Sequence, residues 1–159
     1  MGLDSLESAA SFFGQDEDGD TIPFCDPFEI RDMQKACDII SDAIDSGELI
    51  CIYGDYDCDG ITSTAVLSDY LENIGANVTT YINERSMGYG INPDAVRKLH
   101  EDGVGLIITV DNGISAIEEA KLCRELGITL VVTDHNQPGD VLPDAAAVVD
   151  PHRADDTSS

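Results

Sequence analysis

The sequence predicts an α/β fold in which a parallel β-sheet is sandwiched by helices in three layers, with a helical segment at the N-terminus. Short runs of consecutive apolar residues alternate with longer segments in which apolar residues recur at helical spacing. Glycines follow four of the helical segments, as is common at helix ends: Gly47, Gly75, Gly103 and Gly127. Strands that are apolar on both faces and joined by helices are typical of parallel sheets.

The predicted elements follow one another in a regular order. A short helix is expected over residues 3–13, and a second over residues 28–44. The strands are expected at residues 49–53, 78–82, 106–110, 128–133 and 146–149. The connecting helices are expected at residues 62–74, 93–101 and 114–126. This alternation makes the predicted arrangement Rossmann-like.

We expect the 159 residues to divide into three parts. Residues 1–47 form an N-terminal helical extension, residues 48–153 an α/β domain, and residues 154–159 a tail. The chain ends without a finishing element, which favours a piece of a longer protein. No apolar run reaches the ~18 residues of a membrane span, and the N-terminus lacks the pattern of a signal peptide. We therefore expect no membrane association and a cytoplasmic location.

The chain is strongly acidic. Eight Lys and Arg against 32 Asp and Glu give a formal net charge of −24. A surface of this sign repels a polyanion such as DNA. Either the protein is simply acidic, or some carboxylates bind metal ions and any grip on nucleic acid lies outside this chain. The five cysteines form no CxxC pair, which argues against a disulfide framework or a structural zinc site.

Acidic side chains follow three of the predicted strands, and a histidine accompanies the last of them. In chain order these residues are Asp55, Asp57, Asp59, Asp111, Asp134 and His135. Ligands of parallel sheets bind beyond the carboxyl ends of the strands. We therefore expect these side chains to converge at one edge of the sheet.

Carboxylates that converge in this way repel one another. At ~4 Å and an effective dielectric near 20, each like-charge pair costs about 4 kcal/mol, so a bound cation is expected. Carboxylate oxygens with an imidazole suit Mn²⁺ or Mg²⁺ better than zinc. Asp57 and Asp59 are alternate residues of a turn and could face one metal ion or two, while Asp111 could bridge.

Three further side chains are candidates for binding a substrate phosphate. The helix after Gly60 directs its first N–H groups towards an anion, and Thr62 and Ser63 add hydroxyl groups there. Arg85 lies in a loop and is equally compatible with a solvated side chain.

Each motif alone has a simpler explanation. The pattern of residues 55–60 is also typical of a solvated turn, although an EF-hand is excluded because Val66 stands where its Glu is required. A plain turn would explain residues 111–113, and a capped histidine would explain His135. Their occurrence at three strand ends favours one shared site.

The motifs resemble those of the DHH phosphoesterases, and most closely those of the RecJ branch. The three motifs read Tyr-Gly-Asp-Tyr-Asp-Cys-Asp-Gly (53–60), Val-Asp-Asn-Gly (110–113) and Thr-Asp-His-Asn (133–136). Residues 88–92 resemble the branch's loop between motifs one and two. Residues 138–143 and 150–153 resemble the stretch after motif three. The resemblance covers roughly residues 48–156 and implies the DHH-type form of the α/β fold.

The resemblance implies a two-metal Mn²⁺ or Mg²⁺ site that hydrolyses phosphodiesters, with single-stranded DNA digested from its 5′ end in DNA repair and recombination. It implies four metal ligands: Asp57, Asp59, Asp111 and His135. Asp111 is the expected bridge between the two ions.

Besides the ligand His135, which is also an expected catalytic residue, four residues would complete the site by resemblance. His135, Asn136 and Asp55 are the expected catalytic residues, and Asp55 would orient a ligand or a water molecule. Asp134 and Asn112 would orient ligands in the same way.

The sequence departs from the family pattern in two respects. Asn136 stands where the motif has a second histidine, and an Asn cannot carry a proton or a positive charge. We therefore expect weaker catalysis but retained metal binding. The family's fourth-motif Asp and its substrate-clamping second domain are not among these 159 residues. This piece alone is thus expected to be nearly inactive, with single-stranded DNA bound mainly by the missing domain.

Two other functions stay open. One is a DHH phosphodiesterase for short oligonucleotides, cyclic dinucleotides or polyphosphate, although the loop at residues 88–92 favours the RecJ branch. The other is a catalytically impaired pseudo-enzyme or binding module, which Asn136 and the acidic surface favour. The sequence does not identify protein partners.

Overall fold

The computed structural model describes Ser5 and residues 26–158. Its centre is a sheet of five parallel strands: β1 (Leu49–Gly54), β2 (Asn77–Ile82), β3 (Val104–Val110), β4 (Thr129–Thr133) and β5 (Ala147–Val149). The order across the sheet is β2-β1-β3-β4-β5. The five predicted strands are confirmed. The predicted helix over residues 3–13 lies, apart from Ser5, outside the described residues.

Among the described residues, four α-helices cover the two faces of this sheet: α1 (Met33–Asp45), α2 (Cys58–Asn73), α3 (Pro93–Glu101) and α4 (Ile117–Glu125). Helices α1 and α2 pack on one face, and α3 and α4 pack on the other. Alternate residues of β1 supply both cores, since Ile50 and Ile52 face α1 and α2 while Cys51 and Tyr53 face α3 and α4. The predicted three-layer α/β fold is confirmed.

Two helices begin later along the chain than their periodicity predicts. Helix α1 begins at Met33 because Pro27–Glu29 form a separate 3-10 turn and Asp32 adopts a left-handed conformation, with φ of 63°. Helix α4 begins at Ile117 rather than at Ile114. The Ile114 N–H is instead bonded to a carboxylate on another strand end.

Helix α2 begins four residues earlier than predicted, at Cys58. Asp57 caps it, because one carboxylate oxygen accepts hydrogen bonds from the N–H groups of Asp59 and Gly60, both at 3.0 Å. The turn after β1 therefore passes into the helix without an intervening loop, which brings residues 57–59 close to the end of the strand.

The connection of the strands creates a switch point between β1 and β3. From β1 the chain passes to β2 on one side, and it then crosses to β3 on the other side. The chain segments that follow β1 and β3 therefore run in opposite directions along the sheet, which leaves a crevice for a ligand between them.

A buried arginine joins the segment that precedes the sheet in the chain to the segment that follows it. The Arg153 guanidinium donates to Asp32 at 2.9 Å and forms an ion pair with Asp155. The same Asp32 oxygen accepts from the N–H of Val148 in β5. Helix α1, in the predicted N-terminal extension, thus packs against the sheet and is tied to residues beyond β5.

Within the residues that the structure describes, no helix is long and apolar enough to cross a membrane.

We expect Gly60→Ala to destabilise the protein. A Cβ atom at Gly60 would lie 2.5 Å from the carbonyl oxygen of Asp55 and 2.7 Å from its backbone nitrogen. Overpacking of this kind typically destabilises a protein by ~1–3 kcal/mol. This loss outweighs the gain in helix propensity from glycine to alanine. Urea unfolding should show the loss, whereas Gly139→Ala, where a Cβ meets nothing within 4 Å, should be nearly neutral. Equal stability of the two variants would contradict this packing.

Candidate metal centre

An open cleft of about 430 Å³ lies at the carboxyl edge of the sheet. Its polar lining comes from the first two turns of α2, from the end of β4 and from the segments that follow β3 and β4: Asp59, Thr62, Ser63, Asp111, Thr133, Asp134 and His135. The structure thus brings together six of the residues that the sequence singles out, from three different strand ends. The rest of the predicted set lies beside or beneath the cleft.

Asp111 lies at the centre of this group. One of its carboxylate oxygens is 2.8 Å from Nε2 of His135, and the Asp57 carboxylate is near enough for its charge to act on Asp111. Burial raises the pKa of the Asp111 carboxyl, the contact with His135 opposes this shift, and the charge of Asp57 adds to it. Two like charges are therefore held together at the switch point.

Asp134 supports the site through the backbone. Its side chain is buried; one oxygen accepts from the N–H groups of His135 and Asn136, and the other accepts from Ile114 at 2.9 Å. The carboxylate thus fixes the turn that carries His135 and joins it to the segment after β3. The imidazole itself contacts Asp111 instead.

Asn136 does not line the cleft, and its side chain reaches Tyr89 in the loop between β2 and α3. Its Nδ2 donates to the hydroxyl of Tyr89 at 2.6 Å and to Asp134 at 2.7 Å. The Tyr89 hydroxyl in turn donates to the main-chain carbonyl of Asp111 at 2.9 Å. Burial, followed by the negative charges of Asp134 and Asp111, raises the pKa of Tyr89, so the hydroxyl keeps its proton. The side chain at position 136 is therefore part of a chain of hydrogen bonds that runs through Tyr89 to the backbone of Asp111.

Asp55 and Asn112 lie beneath the cleft. Asn112 is fully buried and donates to the carbonyls of Tyr53 and Val110, which joins the ends of β1 and β3. Each of the two residues also has one buried oxygen without a hydrogen-bond partner among the described residues. Buried oxygens of this kind need a donor, a water molecule or a cation.

The three candidate phosphate-binding residues are placed differently. Thr62 and Ser63 line the cleft, but their hydroxyls donate back to carbonyls of the first turn of α2. The Arg85 guanidinium stacks over the ring of Tyr56 at 5.1 Å. All three remain predictions as phosphate ligands.

Sequence reasoning missed Asp150, which follows β5. Its side chain is fully buried, one oxygen accepts from the N–H of His152 at 2.8 Å, and the other has no partner among the described residues. Burial raises the pKa of this carboxyl, and the charge of Asp134 adds to the shift. The rule that located the other strand-end carboxylates applies equally to β5 and would have found it.

The donor set fits a hard divalent cation, although the coordination shell is incomplete as it stands. Carboxylate oxygens with one imidazole nitrogen are typical ligands of Mn²⁺ and Mg²⁺. Across Ser5 and residues 26–158, however, no group of three or more His, Cys, Asp or Glu side chains is arranged to hold a metal ion. The direct contact between His135 and Asp111 would have to open before both could coordinate a cation.

The fold and the site define a parallel α/β protein with an acidic, histidine-containing centre at the switch point of its sheet. A model of the DHH family's N-terminal domain matches residues 49–159. The chain therefore belongs to the DHH family, as its motifs predict.

Relatives within the family are exonucleases. The chain is 48% identical over 151 residues to the single-stranded-DNA-specific exonuclease RecJ of Bacillus subtilis, which covers 94% of this chain and 19% of that protein. It is similar to a crystal structure of exonuclease RecJ bound to manganese, with a TM-score of 0.74, 35% identity, and coverage of 80% of this chain and 33% of that one.

A second solved structure, RecJ from Thermus thermophilus in complex with Mn²⁺, has a TM-score of 0.72 and 31% identity, over 85% of this chain and 19% of that one. The predicted resemblance to the RecJ branch is confirmed. The chain spans about a fifth of the length of the Bacillus subtilis relative.

Replacing Asp150 by Asn should change how stability depends on pH. Because the native pKa of Asp150 is raised, the folded protein binds this proton more tightly than the unfolded chain does. The ionised carboxylate therefore destabilises the fold at neutral pH, and this penalty is relieved as pH falls through the native pKa. We expect Asp150→Asn to be more stable than the wild type at neutral pH, with a gap that narrows on acidification.

Urea unfolding of the wild type and of Asp150→Asn at neutral and acidic pH measures the difference in their free energies of unfolding. Because both proteins carry nearly the same acidic charge, its effect on stability largely cancels in this difference. A wild-type protein that is more stable than Asp150→Asn at neutral pH would contradict the assignment.

Proposed function

We propose that this chain is the metal-binding part of a single-stranded-DNA-specific 5′-to-3′ exonuclease that hydrolyses phosphodiesters with Mn²⁺ or Mg²⁺. The observation that carries the proposal is the meeting of Asp57, Asp111 and His135 at the switch point of the sheet. The match to manganese-bound RecJ structures supports it. The polarity of digestion, the role in DNA repair and recombination, and the cytoplasmic location follow by similarity to the RecJ proteins.

The residues that would hold the metal ions are Asp57, Asp59, Asp111 and His135. Asp111 is the proposed bridge, because it contacts His135 and lies near enough to Asp57 to feel its charge. Asp57 has one oxygen engaged in capping α2, so the cap fixes the direction of its second oxygen. The exposed Asp59 lies in the first turn of the same helix, on the lining of the cleft.

When bound, the metal ions would acidify a water molecule and neutralise charge on the phosphoryl oxygens. Asp134 holds the turn that presents His135, through its bonds to the backbone. Asp55 lies buried behind the site and would orient ligands or water through its unpartnered oxygen. The open cleft leaves room beside Thr62 and Ser63 for a phosphodiester.

The acidic surface limits what this part can do alone. A net charge of −24 opposes the binding of a long polyanion. We therefore propose that single-stranded DNA is bound mainly by parts of the natural protein outside these 159 residues. The isolated chain should bind metal ions but digest DNA slowly or not at all.

A second candidate function is a catalytically impaired binding module. The specific observation in its favour is that both hydrogen bonds of the Asn136 amide nitrogen go to Tyr89 and Asp134. As placed, that nitrogen has no free N–H to offer a scissile phosphate, and the side chain cannot transfer a proton.

We expect Asp111→Asn to abolish Mn²⁺-dependent hydrolysis of single-stranded DNA by the complete natural protein. The substitution removes the charge that both ions would share, so turnover and Mn²⁺ affinity should each fall by at least ~100-fold, beyond the usual effect of losing a residue that only supports a ligand. Asp69→Asn, the same change on an exposed turn of α2, serves as the control and should leave both unchanged. Wild-type activity in Asp111→Asn would refute the site.

Asn136→His separates the two candidate functions. If the protein is a slowed exonuclease, a histidine that can carry a proton should raise turnover by roughly tenfold or more, while Mn²⁺ affinity stays within about threefold. Robust and equal turnover in both proteins would eliminate the impaired module. If neither protein cleaves single strands of any length, the exonuclease proposal fails. Activity confined to dinucleotides would instead favour a small-substrate phosphodiesterase.

A further inference from the structure

The loop between β2 and α3 reaches the metal centre from the side. Its residues 88–90 read Gly-Tyr-Gly, and both glycines have positive φ, 86° at Gly88 and 89° at Gly90. This backbone path is accessible mainly to glycine. It places the Tyr89 side chain over the ends of β3 and β4. Its hydrogen-bond partners are Asp111, 22 residues further along the chain, and Asn136, 47 residues further along.

A buried polar network holds the base of this loop. The Tyr53 hydroxyl donates to Oδ1 of Asn83 at 2.7 Å and accepts from the N–H of Asn92 at 2.9 Å. The amide of Asn83 donates to the carbonyl of Gly90. Tyr53 is fully buried and Asn83 nearly so, so the loop is fixed to β1 rather than free in solvent.

The tip of the loop contacts the backbone of the central carboxylate. The Tyr89 hydroxyl donates to the carbonyl of Asp111 at 2.9 Å and accepts from Asn136 at 2.6 Å. Asp111 has a φ of 61°, a left-handed conformation that is unfavourable for most L-residues. A hydrogen bond to that peptide unit stabilises the conformation from which the Asp111 carboxylate reaches His135.

We propose that Tyr89 is a positioning residue for the metal centre, and that its hydroxyl fixes the backbone of Asp111 while Asn136 fixes the hydroxyl. This inference rests on the proposed function, since it assumes that Asp111 binds a metal ion. It assigns the loop at residues 88–92 a role in metal affinity. The alternative for Tyr89 is stacking on a DNA base through its half-exposed ring.

Tyr89→Phe tests the proposal, because it removes the hydroxyl and keeps the ring. Mn²⁺ binding to the complete natural protein, followed by the loss of the free-ion electron paramagnetic resonance signal, should weaken by about tenfold, the usual effect of removing a group that supports a ligand. Tyr70→Phe, the same change on the exposed face of α2, should bind Mn²⁺ as the wild type does.

Hydrolysis of a single-stranded oligonucleotide gives a second readout. For Tyr89→Phe we expect turnover to fall at limiting Mn²⁺ and to recover at saturating Mn²⁺, with KM for DNA unchanged. Unchanged Mn²⁺ affinity in Tyr89→Phe would overturn the proposal, and so would a rise in KM that excess Mn²⁺ does not reverse. If the wild-type protein binds no Mn²⁺, the proposed function itself is refuted.

Discussion

Folding of the parallel sheet forces like charges together at its carboxyl edge. The strand order places the ends of β1 and β3 side by side, and each end delivers a carboxylate. The charges of Asp57 and Asp111 therefore act on each other at the switch point. Asp57 is held in place because its side chain caps α2, and Asp111 is held in a left-handed backbone conformation. The repulsion is thus built into the fold, and a cation between the carboxylates would convert it into binding energy.

The surroundings of these two carboxylates explain why neither can relax away. Gly60 packs directly against the backbone of Asp55, which keeps the turn after β1 tight. Asn112 joins the ends of β1 and β3 from below. Asp134 holds the His135 turn against the segment after β3. Contacts of this kind hold the backbone that carries the ligands, so that the rearrangement that an ion requires is the opening of the contact between His135 and Asp111.

Much of this could be predicted from the sequence, because the strands are apolar runs and the carboxylates follow them directly. The helix starts were predicted wrongly where a side-chain hydrogen bond, rather than the spacing of apolar residues, sets them. Helix α2 begins early because Asp57, a predicted ligand, is also its cap. Helix α4 begins late because the N–H of Ile114 bonds to Asp134, 20 residues further along. Local periodicity contains no information about such contacts. The bridge from Asn136 through Tyr89 to Asp111 was unpredictable for the same reason.

The contact between His135 and Asp111, at 2.8 Å, marks the proposed place of a metal ion. The most direct measurement is a crystal structure of the complete natural protein grown with Mn²⁺, with the ion located by its anomalous scattering. We predict an Mn²⁺ peak between Asp57, Asp111 and His135, with the imidazole displaced from the carboxylate. If the direct contact between His135 and Asp111 persists at saturating Mn²⁺ and no peak lies at this edge of the sheet, the account is contradicted.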